Sequence, residues 1–127
     1  MTVAAIVFAL LALVVAAFQL ALVVGAPWGE FTLGGRWRGA LPPAVRAIPL
    51  VSAVLLIAMA VVVAVRAGLF ADPTFSASAA AGWTWAVVAY CAVGSIANAA
   101  TPSRRERMLW LPVVLGMLAS SLIVALG

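Results

Sequence analysis

The chain has 127 residues, of which 68% are hydrophobic and 8% charged, with seven Lys+Arg against three Asp+Glu and no histidine. A soluble domain is nearer half apolar and a quarter charged, so a water-soluble globule is excluded, and the length allows one domain. All seven basic residues are arginines that flank apolar segments, which argues against a nucleic-acid partner and points to membrane topology and lipid headgroups.

The first apolar run, 3–24, contains no charge and is long enough to span a bilayer as a helix. No Lys or Arg precedes it and it exceeds the core of a signal peptide, so it is expected to be a retained helix. Ala5, Ala9, Ala12 and Ala16 recur at helical steps, and Gln19 continues the stripe. Such a small-residue seam lets helix backbones approach closely in lipid, within one chain or against a partner.

The connection 25–43 follows and is expected to be a structured cytoplasmic connection, an ordered cap packed at the membrane interface. Gly34-Gly35 stands between short β-compatible runs, the pattern of a tight hairpin turn. Phe31, Leu33 and Trp37 would be stranded in water unless the connection packs at the interface. Pro42-Pro43 suits the opening of a second helix over 44–67, whose uncharged run covers 47–65. The stretch from Arg66 to Ser78 is bland by contrast, with a turn at Asp72-Pro73.

A third helix is expected over 79–100, carrying Tyr90, Gly94 and Asn98 on one face with Cys91 and Ser95 beside them. The fourth is expected over 103–126, its uncharged run being 108–127. Thr101-Pro102 or Ser103 opens it; Ser103 and Glu106 have capping-box spacing, which gives Glu106 a structural duty. The expected fold is therefore an all-α membrane protein, a four-helix transmembrane bundle of up-down-up-down order forming a single domain over 1–127.

Arg36, Arg38 and Arg46 follow the first helix and Arg104, Arg105 and Arg107 follow the third, so six of seven arginines gather at one end of the bundle. The positive-inside rule puts that end in the cytoplasm and both termini outside, in a cell's inner membrane. Trp28, Trp37 and Trp110 then belong to the inner interface and Trp83 and Trp85 to the outer, as an aromatic belt requires.

Chemistry-bearing residues are few. Without histidine, a metal cluster or a nucleophile–base pair, no catalytic residue, metal ligand or cofactor is expected. Gln19 and Asn98 must face the bundle, because a bare amide in hydrocarbon is costly; they either hydrogen-bond between helices or line a polar pocket. The expected ligand-binding set is Glu30, Gln19, Asn98, Trp28, Trp37 and Tyr90, with Glu30 either facing inward as the ionisable group or paired with Arg36, Arg38 or Arg46.

The strings at 25–31 (Gly-Ala-Pro-Trp-Gly-Glu-Phe), 34–35, 41–43 (Leu-Pro-Pro) and the series Asn98, Thr101-Pro102-Ser103, Glu106-Arg107, Trp110, Pro112 resemble those of uncharacterised small four-helix bacterial integral membrane proteins. The resemblance implies the architecture and a bacterial membrane, and transfers no activity. Small multidrug transporters carry a glutamate within the first helix, where this chain has only Gln19. Three functions follow in order: transport or binding of a small or lipophilic ligand at a cytoplasmic-side pocket; an accessory subunit docking partner helices or a second copy; and, furthest, an enzyme acting on a lipid.

Overall fold

A computed structural model describes all 127 residues, and they form four long helices and no sheet: α1 (Thr2–Val23), α2 (Ala47–Arg66), α3 (Ala77–Ala100) and α4 (Arg104–Leu126). Each is long and apolar enough to cross a membrane, so the chain is a multi-pass membrane protein. Helices are the form these runs must take in lipid, because every backbone N–H and C=O is then satisfied within its own segment. The helices alternate in direction around a ring, α1 packing on α2 and α4, and α3 on α4 and α2.

Capping follows the local sequence. Both α1 and α2 end in Schellman motifs: Ala26 N–H donates to Ala21 O and Gly25 N–H to Leu22 O, and Leu69 and Gly68 repeat the pattern on Ala64 and Val65. Ser76 caps α3 by accepting from Ala79 N–H, and Ser103 caps α4 by accepting from Glu106 N–H. Pro43 opens a 3₁₀ turn, Pro43–Arg46, that runs into α2.

The alanine stripe of α1 is spent inside the bundle. Ala5, Ala12 and Ala16 are buried with Phe8, against Leu56, Met59 and Val63 of α2, Val87 and Cys91 of α3, and Met117 and Val124 of α4. The seam therefore closes this chain's own core. Buried hydroxyls are satisfied within their own helices: Thr84 donates to Ala80 O, Ser95 to Cys91 O, and Ser120 to Gly116 O.

The hairpin expected around Gly34-Gly35 does not form. The connection instead folds as two 3₁₀ turns, Gly29–Phe31 and Leu33–Gly35, with Gly34 and Gly35 both at positive φ. The turn is where the glycines place it, but Phe31 and Gly34 are bonded to α4, and across the turn only Gly29 bonds Gly39, so no strand pair forms.

Candidate functional site

The connection is tied to the start of α4 by four contacts across more than 70 residues of sequence. Gly34 N–H donates to Glu106 Oε2 at 2.8 Å, Ser103 Oγ donates to Glu30 O at 2.9 Å, and Trp110 Nε1 donates to Phe31 O at 2.9 Å. Arg105 Nη1 donates to Glu30 Oε1 at 2.6 Å. Trp110 is further held by Phe18, whose ring centroid is 4.6 Å away, and Phe18 in turn stacks on Trp28.

Two glycines make this packing feasible. Gly29 donates to Gly39 O, and a Cβ at Gly29 would lie 2.3 Å from Trp37 O, so no other residue fits without moving backbone. Gly34 presents its N–H to Glu106 from a φ of 71°, a conformation that costs other residues roughly 1–2 kcal/mol.

Beneath this roof lies a cavity of about 390 Å³ lined by 17 residues, 11 of them hydrophobic. Phe31, Thr32 and Leu33 line it from the connection, Val15 and Gln19 from α1, and Ser52 and Leu56 from α2. From α3 come Tyr90, Cys91, Val93, Gly94 and Asn98, and from α4 Glu106, Trp110, Val113, Val114 and Met117. Tyr90 and Val93 are exposed on the outer surface of α3, so the cavity reaches the lipid-facing side of the bundle.

The polar lining is under-used by the protein. Asn98 Nδ2 donates to Gly94 O in its own helix, which leaves its carbonyl oxygen free. The side chains of Gln19, Ser52, Thr32 and Tyr90 make no hydrogen bond to the protein, although all four line the cavity. The expected bond between helices through Gln19 or Asn98 is thus absent, and both amides face the cavity instead. These groups are partly exposed rather than buried, so they stand open to a guest that can hydrogen-bond.

The six residues expected at the site divide. Gln19, Asn98 and Tyr90 come together around the cavity. Glu30, Trp28 and Trp37 lie outside it: Glu30 pairs with Arg105 rather than with Arg36, Arg38 or Arg46, Trp28 stacks on Phe18, and Trp37 lies under the Arg36 guanidinium. The carboxylate in the cavity wall is Glu106. Its backbone N–H completes half of the expected capping box, but its side chain reaches across to Gly34 while Ser103 N–H turns to Thr101 Oγ1. Glu106, Trp110, Val113 and Met117 fall at helical spacing on one face of α4, and that stripe is the signal in the sequence that marks Glu106 as inward-facing.

No family model, curated protein or solved structure matches this chain.

Proposed function

We propose that this protein binds a small lipophilic molecule with a hydrogen-bonding or cationic head in the cavity beneath the connection. The observation that carries the reading is the convergence of unpartnered polar groups, Gln19, Ser52, Tyr90 and the Asn98 carbonyl, with one carboxylate, Glu106, in an otherwise apolar cavity. Ligand sites have this composition: apolar walls for affinity and a few placed polar groups for orientation. The aromatic faces of Phe31, Tyr90 and Trp110 and the negative charge of Glu106 favour a cationic head. Entry is from the bilayer, past Tyr90 and Val93.

The roofed end carries six of the seven arginines, and on the positive-inside rule it faces the cytoplasm of a bacterial inner membrane with both termini outside. The cavity would then release or receive its ligand at the inner leaflet, as a binding protein or as one step of a transporter. An accessory role draws no support from the α1 seam, which the chain's own helices cover.

The test is titration of a dansylated alkylamine into protein in nanodiscs. Saturable, blue-shifted emission is expected, weakened about five- to thirtyfold in Gln19→Leu/Asn98→Leu, since losing one to two hydrogen bonds is worth about 1–2 kcal/mol. Equal affinity in the folded double variant would remove the cavity from the account.

A further inference from the structure

We propose that a second, mostly polar cleft on the outer side of the same connection is a phosphate-binding site, suited to the phosphate of an anionic lipid headgroup. This cleft, about 330 Å³, is lined by eight residues, none hydrophobic, and lies between the Gly34-Gly35 turn and the start of α4. Arg38, Arg104 and Arg105 contribute three guanidinium groups and Glu30 the one carboxylate, which is engaged by Arg105 at 2.6 Å. The cleft therefore holds an excess of two positive charges.

Arg38 and Arg104 have no partner in the protein: the ion pair of the structure belongs to Arg105, and the other arginine side-chain bonds belong to Arg46, Arg66 and Arg107. Two forks of N–H donors reaching one concavity from two separate connections match the oxygens of a phosphate, which guanidinium groups bind bidentately. The wall between them has no bulk. Ser103 Cβ stands 3.1 Å from where a Cβ at Gly35 would be, so the turn packs directly on Ser103 with no side chain between. Arg104 and Arg105 also open α4, and the first N–H groups of a helix have no acceptor within it.

Position narrows the source. The cleft lies between the roof and the start of the span Arg104–Leu126, where a helix crossing a bilayer would reach the lipid phosphates. A lipid phosphodiester and free phosphate share the chemistry and differ in tether. The site is independent of whatever occupies the cavity beneath the roof.

The test uses the full chain in mixed nanodiscs of phosphatidylglycerol and phosphatidylcholine, read by native mass spectrometry for lipids retained on release. Wild type is expected to retain phosphatidylglycerol in preference to phosphatidylcholine, and Arg38→Gln/Arg104→Gln to lose that preference, while Arg36→Gln, outside the cleft, keeps it. Inorganic phosphate added to detergent-solubilised protein separates the sources: displacement of phosphatidylglycerol assigns the site to phosphate itself, and persistence assigns it to the tethered headgroup. If the double variant fails to fold, Arg38→Lys and Arg104→Lys replace it, and a smaller loss of preference is expected because charge remains but the fork does not. Equal retention of the two lipids by wild type, or an undiminished preference in the folded variants, overturns the proposal.

Discussion

Gly34 and Glu106, 72 residues apart, are joined by a 2.8 Å hydrogen bond from a backbone N–H to a carboxylate oxygen, and this bond fixes the connection over the cavity. A hydrogen bond to a charged group contributes about 1.5–3 kcal/mol. Glu106→Ala is expected to destabilise the protein by about that amount, and Glu106→Gln by less, because the amide oxygen still accepts from Gly34. Thermal unfolding in detergent, followed by tryptophan fluorescence, measures both. Equal stability of Glu106→Ala and wild type would mean that the roof is held by its other contacts.

Gly29 and Gly39 provide a paired test of the roof's packing. A Cβ at Gly29 meets Trp37 O at 2.3 Å and Gly39 O at 2.7 Å, whereas a Cβ at Gly39 meets nothing within 4 Å. Gly39→Ala should cost about 1 kcal/mol for its positive φ alone, and Gly29→Ala distinctly more, through displaced backbone. The same unfolding assay ranks them. A reversed order would contradict the described path of residues 29–39.

The four helices and their order were legible in the sequence because a charge inside hydrocarbon is expensive and this chain leaves none there. Gln19 and Asn98 were legible as bundle-facing because a bare amide in hydrocarbon is costly, and both line the cavity. Glu30 was misplaced because nearness in sequence made Arg36, Arg38 and Arg46 its obvious partners, while Arg105 comes to it only through the antiparallel packing of the bundle. Glu106 was underestimated because Ser103–Glu106 spacing describes a cap, and spacing along one helix does not reveal that the side chain bonds to Gly34 on another segment. The strand pairing expected beside Gly34-Gly35 failed on the same ground: Phe31 O is taken by Trp110.

Asp72 lies in the loop between α2 and α3, where Thr74 holds its carboxyl below the ordinary aspartate range through the Thr74 hydroxyl at 2.6 Å and backbone N–H at 2.8 Å. A lowered folded pKa means that the turn is fully stabilised above the ordinary aspartate value, about 4, and loses that support as pH falls through the lowered one. Exchange of the Thr74 amide should accelerate, relative to neighbouring loop amides, on acidification below about pH 4. In Thr74→Ala the Asp72 carboxyl should titrate closer to its ordinary value, read by NMR. An unchanged Asp72 titration in that variant would contradict the turn geometry.

Topology is tested by single cysteines at exposed positions, Ala40→Cys in the roofed connection and Ala77→Cys at the start of α3, each in a Cys91→Ala background. An impermeant maleimide applied to intact cells is expected to label position 77 and spare position 40, on the proposal from the positive-inside rule that the arginine-rich end faces inward. Labelling of position 40 would invert the orientation.

The central claim, a ligand site in the roofed cavity, is tested most directly by photo-crosslinking with a diazirine-bearing alkylamine, with adducts located by mass spectrometry. Saturable adducts are predicted on Glu106 or Trp110, competed by excess unlabelled alkylamine and lost in Gln19→Leu/Asn98→Leu. Adducts confined to outward-facing residues such as Trp83, Ile96 or Leu109, or adducts that competitor does not reduce, would contradict it.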